Sequence, residues 1–334
     1  LPDEPSYALW TMRPDGTQQQ RVLDLPGNQR DPAFDLGGRL LAYASDATGT
    51  YQIYTTDIRS GVVWQITTTP GNKRNPTWSS DSNWIAFQCD RNGNWDIFKI
   101  RSDGAGAEVP LAATSSDEQK PAWSPVGPYI AYQVTEGTGR NRIYMMDSEG
   151  GNPTPVSDGG GDPQADDIDP AWHPHGQSLV FASSRLTSAT DTVPNFNIWT
   201  MGAAGEVNGA QTTLISNRDE SDAYDSIHPT WTPDLDQRAR TRIAFASNRL
   251  TGGADTSEWN IWASFIQDTL PPVLETAQGR DSALPWLEVG GVEIREDRHV
   301  RPGGDVTIKV KVYDKDSGVG SVTALLKDPD IKIF

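Results

Sequence analysis

Six short segments, each carrying an aromatic residue, divide this chain at near-regular intervals and leave few folds open to it. Trp10, Tyr54, Phe98, Tyr144, Trp199 and Trp262 lie in runs such as Ile53-Tyr54-Thr55-Thr56 and Ile97-Phe98-Lys99-Ile100, at steps of 44, 44, 46, 55 and 63 residues. The unit is clearest over 75–104. There Trp78, Trp84-Ile85-Ala86-Phe87 and Trp95-Asp96-Ile97-Phe98-Lys99-Ile100 have the aromatic and β-branched composition that strands favour. Ser80-Asp81-Ser82-Asn83 and Arg91-Asn92-Gly93-Asn94 separate them, and such residues accept turn geometry or bond their own backbone. Each gap therefore reads as a hairpin. A meander this small cannot bury both of its faces and must stack on copies of itself.

The copies extend through most of the chain. A proline two residues before an aromatic marks a first strand at Pro32, Pro76, Pro121, Pro170 and Pro229. Second strands follow at 41–45, 85–89, 130–134, 179–183 and 243–247, and fourth strands near 21–25, 63–67, 108–112, 153–157 and 212–216. Four strands in about 44 residues, repeated, is the period of a propeller blade. The expectation is an all-β chain: a six-bladed β-propeller of four-stranded antiparallel blades over 1–268, followed by a small or partial immunoglobulin-like β-sandwich over 269–334. The first blade lacks its opening hairpin, since only six residues precede Tyr7. A strand from 270–300, such as 285–289, is expected to complete the blade begun by 9–25 and so remove an open sheet edge.

Charge narrows the partners. With 45 acidic and 28 basic residues the formal net charge is −17, which disfavours nucleic acid and anionic membranes. No run of 18 apolar residues occurs, so no spanning helix is expected, and the first ten residues lack the basic and apolar regions of a signal peptide. Cys89, the single cysteine, excludes an intrachain disulfide. It stands where sibling copies have Ser45, Ser183 and Ser247, and reads as a small residue packed in a strand.

The repeat is similar to that of TolB-like propellers, P-x-W-S-P-D-G-x-x-I-A-F-x-S-x-R-x-G-x-x-D-I-Y-x-M-x-x-D-G. Trp123-Ser124-Pro125, Ser183-Ser184-Arg185, Trp95-Asp96-Ile97-Phe98 and Arg13-Pro14-Asp15-Gly16 carry the resemblance, which covers about 7–268. Nothing in this chain matches the separate N-terminal domain of TolB. The resemblance implies a periplasmic or extracellular location and a protein-binding habit, on a larger envelope or membrane complex.

After Gln267 the pattern changes. Asp268-Thr269-Leu270-Pro271-Pro272 reads as a linker, 306–312 as a half-exposed strand, Asp314-Lys315-Asp316-Ser317-Gly318 as a turn and 319–326 as the returning strand. This resembles the start of bacterial immunoglobulin-like domains, although only about 65 residues are present where a full sandwich has about 100.

Catalytic motifs are scarce. The chain has no G-x-S-x-G elbow, C-x-x-C, H-E-x-x-H or phosphate-binding loop, so no catalytic residue is assigned and a non-catalytic role is expected. His173-Pro174-His175-Gly176 occupies the position of the repeat's first turn, away from a propeller axis, and reads as an exposed turn. Asp90-Arg91-Asn92-Gly93-Asn94-Trp95-Asp96 has alternating oxygen donors, but its glycine is at the fourth place and no glutamate closes it, so it too reads as a turn. No cofactor is expected, with Ca²⁺ the one metal that acidic loops would suit.

The blades are not equal. From second-strand to third-strand aromatic the distances are 11, 11, 12, 18 and 17 residues, and the connections into the last two full blades lengthen as well. In an antiparallel meander these loops emerge on one face. The four enlarged loops, 158–169, 185–196, 217–228 and 249–259, carry Asp162, Asp166, Asp167, Asp169, Asp191, Asp219, Asp222, Asp225, Asp255 and Glu258, the residues expected to bind a protein partner. The competing expectation is a carbohydrate-active or other enzyme that uses the central funnel, with or without a divalent metal.

Overall fold

The computed structural model describes residues 7–13, 17–22, 27–158, 162–186, 195–202, 212–215, 224–231, 242–248, 259–265, 273–274, 288–289, 292–293, 306–314 and 318–326. The chain divides into two compact units, Leu1–Thr232 with Arg242–Ser264 and Pro233–Thr241 with Phe265–Phe334.

The first unit is a series of antiparallel sheets, each made of consecutive strands. Blade 1 is β3 (Gln29–Phe34), β4 (Leu40–Ser45), β5 (Gln52–Asp57) and β6 (Val63–Gln65). Blade 2 is β7 (Lys73–Trp78), β8 (Trp84–Cys89), β9 (Asp96–Arg101) and β10 (Val109–Ala112). Blade 3 is β11 (Asp117–Trp123), β12 (Tyr129–Thr135), β13 (Asn141–Asp147) and β14 (Thr154–Pro155). Blade 4 is β15 (Asp167–Trp172), β16 (Ser178–Ser183), β17 (Asn197–Gly202) and β18 (Thr212–Ile215). Blade 5 has three described strands, β19 (Ser226–Trp231), β20 (Arg242–Ser247) and β21 (Asn260–Phe265). Ahead of them β1 (Trp10–Thr11) pairs with β2 (Gln20–Arg21) and, among the described residues, with no other strand.

Second strands explain how the sheets stack. Side chains alternate across a strand, and in β4 both faces are buried. Leu41 and Tyr43 join Leu9 of the preceding pair, whereas Ala42 and Ala44 meet Trp78, Ile85 and Phe87 of blade 2. The same exchange recurs at the next junctions. Ala86 and Ile97 pack with Trp123, Ile130 and Tyr132, and Ala131 and Ile143 pack with Trp172, Leu179 and Phe181. The core is therefore a set of layers between blades, with small residues on one sheet facing aromatics on the next. Within a blade the second- and third-strand aromatics stand side by side, with ring centroids 5.9 Å apart for Tyr43 and Tyr54 and 6.2 Å for Phe87 and Phe98.

One expectation is corrected. The sequence predicts six blades and, among the described residues, the structure shows five; there the sixth is represented by β1 and β2 alone. All six third-strand aromatics do lie in strands, but β1 has no second strand of its own among the described residues. The consequence is visible in exposure. Phe34, at the position of Trp78, is 47% exposed against 6%, and Trp10 is 63% exposed against 8% for Tyr54. Of the 285–289 segment expected to complete that blade, Glu288–Val289 is described and pairs with Val292–Glu293 and Lys309, while 285–287 lies outside the described residues.

In that unit β22 (Val273–Leu274), β23 (Glu288–Val289), β24 (Val292–Glu293), β25 (Val306–Asp314) and β26 (Gly318–Leu326) form one antiparallel sheet. The β25–β26 hairpin lies where the sequence places it, around 314–318. An immunoglobulin-like sandwich needs a second, facing sheet, and the described strands of this unit form one sheet. No described helix is long and apolar enough to cross a membrane.

Candidate functional site

The first strands of the five blades share one irregularity, and it builds the site. In β3 the register passes from Arg30↔Ala44 to Ala33↔Ala42, so Asp31 and Pro32 together oppose Tyr43. This is a β-bulge, and equivalent shifts occur between Arg74 and Thr77, Gln119 and Ala122, Ile168 and Ala171, and Ile227 and Thr230. Proline suits the bulge because it has no N–H to leave unpaired. The residue before each proline takes left-handed backbone: φ is 54° at Asp31, 51° at Asn75, 52° at Lys120, 54° at Asp169 and 51° at His228. None is β-branched, and Asn, Asp and His enter this region more readily than most residues.

These five residues, with the prolines that follow them, line one cavity of about 270 Å³. Five first strands thus converge on the axis of the unit, each presenting its pre-proline residue. Neighbouring blades are tied together there. Arg74 Nε donates to Asp31 Oδ2 at 2.5 Å, Asn75 N to the same oxygen at 3.2 Å, and Lys120 N to Gln88 Oε1 at 2.9 Å. On the far side His228 Nδ1 lies 2.7 Å and Lys120 Nζ 3.5 Å from the Asp169 carboxylate. Burial alone would raise the Asp169 carboxyl, but the His228 hydrogen bond and the Lys120 and His228 charges hold it below the usual carboxylate range. Because that ionised carboxylate only accepts, His228 carries its proton on Nδ1, which leaves Nε2 as the second reactive nitrogen. The carboxylate is withdrawn and the donors are not: side-chain exposure is 8% for Asp169, 29% for Lys120 and 55% for His228.

Among the described acidic residues expected to bind a partner, Asp169 alone lines this cavity. Asp166 and Asp225 belong to a clasp between blades. At each junction one residue, six before the first-strand aromatic, accepts the backbone N–H that opens the preceding third strand. The pairs are Tyr7 to Asn28 at 2.8 Å, Tyr51 to Asn72 at 3.3 Å, Trp95 to Asp117 at 2.8 Å, Asn141 to Asp166 at 2.8 Å and Phe196 to Asp225 at 2.9 Å. Asp166 also pairs with Arg140 at 3.0 Å. Asp167 forms a buried ion pair with Arg185 at 2.6 Å, and Asp162 accepts Gln164 N within its own loop at 2.9 Å. Asp191, Asp219, Asp222, Asp255 and Glu258 lie outside the described residues.

The other motifs resolve as turns. Asp90 accepts from Asn72, and Asp96 from Asn92 and Asn94. His173 opens the turn between β15 and β16, donating from its backbone to Ser178 O, but it is buried rather than exposed, its ring edge-on to Trp231 at 4.6 Å. Cys89 is buried, and burial pushes its thiol up. Among the described residues no group of three His, Cys, Asp or Glu is placed to hold a metal ion. Sequence reasoning passed over Asp31, Asn75, Lys120 and His228 as site residues. Their signal was the proline that recurs in every first strand, which makes the residue before it an equivalent position in all five blades.

Residues 6–159 match the TolB beta propeller domain family. TolB from Acinetobacter baumannii is similar in structure, with 15% identity and a TM-score of 0.54 over 96% of this chain and 60% of that chain. This chain thus spans less than two thirds of that TolB. A protein from Agrobacterium tumefaciens assigned to TolB gives 18% identity and 0.54 over 93% and 86%, and a chain of a nidogen/laminin complex gives 11% and 0.55 over 75% and 81%. Curated protein sequences yield no match. At such identities the structural likeness concerns fold alone, a β-propeller, and the family match covers 6–159, less than half of the chain.

Proposed function

We propose that the protein is a non-catalytic, extracytoplasmic binding propeller, an accessory subunit that docks on a larger envelope or membrane-associated assembly through the elongated acidic loops of blades 4 and 5. The immunoglobulin-like reading of the second unit belongs to the same proposal, as a further module in the series. One contrast carries the reading. The clasp is the same at every junction from Asn28 to Asp225, whereas the distance from second-strand to third-strand aromatic grows from 11 or 12 residues to 18 and 17 in the last two blades. Loops that lengthen on a frame held constant are where binding residues usually reside.

The test neutralises Asp191, Asp219, Asp222, Asp255 and Glu258 together and leaves the clasp residues Asp166 and Asp225 intact. Gentle affinity purification of the native and altered proteins then compares what travels with each. A large assembly that follows the native protein and is lost from the variant is the expected result. Equal recovery from both, or a free monomer from both, overturns the reading.

One observation favours the enzymatic alternative, a carbohydrate-active protein working at the axis. The Asp169–His228 pair fixes an imidazole tautomer whose Nε2 has the form of a general base. Turnover of a carbohydrate that is abolished by His228→Gln, in a variant that still folds, would establish that alternative.

A further inference from the structure

We propose that the protein captures a β-hairpin from a partner protein, which adds its two strands beside β1 and fills the sector between blade 5 and blade 1. This interface lies apart from the acidic loops of the docking reading, and its test alters none of their residues.

The layering of the blades shows which side chains such a hairpin covers. Ile53, Ile97 and Ile143 of the third strands of blades 1 to 3 pack against the first and second strands of the next blade and are 0% exposed. Ile261 holds the same position in blade 5 and is 68% exposed. Across the sector, Trp10 and Met12 stand where blade 2 has the buried Phe98 and Ile100, and both are exposed. Phe34 belongs with them. Its counterpart Trp78 lies over the first strand of the preceding blade, donating from Nε1 to Ala33 O at 2.9 Å, whereas Phe34 is exposed. Leu9, on the opposite face of β1 from Trp10, is buried against Leu41 and Tyr43 of blade 1. The uncovered apolar surface is therefore the part that a first and a second strand beside β1 would bury.

Backbone and charge specify the occupant further. Leu9 O accepts from Val22 N on the β2 side, so by the alternation of an antiparallel ladder the N–H groups of Trp10 and Met12 point to the other edge. That edge has no partner among the described residues, and a free edge takes up a strand through its backbone groups. Arg30 adds selectivity. Its Nε is buried without a hydrogen-bond partner, and its guanidinium lies 3.6 Å from the centroid of the Tyr7 ring. Arg74, at the same position one blade later, pairs its Nε with Asp31 in the first strand of the preceding blade at 2.5 Å. Arg30 thus calls for an acidic residue in the first strand of the hairpin. The partner is recognised as an acid, a proline and an aromatic in one strand, then a turn, then a strand that alternates small and aromatic residues, as 41–44 does.

The probe is a hairpin peptide copying 29–45, which carries Asp31, Pro32 and Phe34. Its ends lie opposite each other in the sheet and are joined by a disulfide through Gln29→Cys and Ser45→Cys. A dye on the peptide reports binding to the full chain by anisotropy, and amide hydrogen exchange at Trp10 and Met12 reports where it binds. One peptide per chain, with slowed exchange at both amides, is the expected result. Trp10→Ser and Ile261→Ser should each weaken binding about tenfold or more. Arg30→Met should weaken it about tenfold; an Asp31→Asn peptide should bind the native chain as weakly, and lose nothing further against Arg30→Met. Absence of binding, equal binding of a scrambled peptide, or unchanged affinity in Trp10→Ser and Ile261→Ser overturns the proposal. Slow exchange at Trp10 and Met12 in the free chain also overturns it, by showing that the chain's own residues fill the sector. A dimer of the native chain that Trp10→Ser dissociates does the same in favour of a second copy. The Asp31→Asn peptide is read on the native chain, so that comparison stands even if a variant fails to fold.

Discussion

Replacing Asp167 by asparagine should unfold more of the propeller's stability than any other single charge removal in its acidic loops. The Asp167 side chain is 0% exposed and its partner Arg185 is 4% exposed, at 2.6 Å. Asp167→Asn removes one partner of this buried ion pair, a change that costs about 3–5 kcal/mol. Arg185 keeps other contacts: its Nε donates to Ser183 Oγ at 2.8 Å, and its guanidinium lies 4.7 Å from the Trp199 ring centroid and 5.3 Å from that of Phe181. Those contacts place the loss toward the lower end, about 3 kcal/mol, or roughly 6–12 °C in Tm for a unit of this size. Urea unfolding followed by tryptophan fluorescence measures it, as a lower midpoint at unchanged slope. Exchanging both partners, Asp167→Leu with Arg185→Met, should recover most of the loss, because apolar residues of similar volume replace a buried pair at little cost. A single variant that loses less than about 1 kcal/mol, or a double variant no better than the single, refutes the reasoning.

Three further outcomes follow from the same kind of accounting. Lys73 is fully buried and its Nζ donates to the carbonyls of Thr69, Pro70 and Gly71 at 2.6, 3.0 and 3.1 Å; Lys73→Met should cost about 2–3 kcal/mol by orphaning them, and Lys73→Gln, which copies Gln29 of blade 1, should cost less in the same urea assay. Burial raises the Glu118 carboxyl above its ordinary range against the opposing hydrogen bonds from Thr114, so the folded chain holds that proton more tightly than the unfolded one and loses stability as pH rises through the folded value. Glu118→Gln should therefore be more stable than the native protein at pH 7 and equal to it near pH 4, as read from Tm at the two pH values. Trp78→Ala should cost about 3–5 kcal/mol, since the ring is 6% exposed and Nε1 donates to Ala33 O at 2.9 Å, while Phe34→Ala, at 47% exposure, should cost less than half as much in chemical denaturation.

The blade was legible because its signals are local. Ile97-Phe98-Lys99-Ile100 is a strand by composition, Arg91-Asn92-Gly93-Asn94 a turn by residue type, and both lie where the sequence places them. The pairing around β1 was not legible, because which strand lies beside β1 is a non-local choice that no residue near Trp10 encodes. Asp166 and Asp225 were misplaced for a similar reason. Each looks like a solvated loop carboxylate, yet its partner is a backbone N–H 25 or 29 residues earlier, across a blade junction. The axial ring was hidden differently. A bulge changes which way one residue points without changing strand composition, so His228 read as the end of a loop and Lys120 as an ordinary strand residue.

The clasp also bears on how such a chain changes length over evolutionary time. Each junction consists of one backbone N–H and one Asn or Asp oxygen, and neither depends on which blade lies on the other side. A duplicated cassette of about 44 residues would bring a donor at one end and an acceptor at the other, and would meet their complements wherever it was inserted. Gain or loss of a whole blade thus requires no new chemistry at the seam. The ring's circumference is open to copying errors in a way that its individual strands are not.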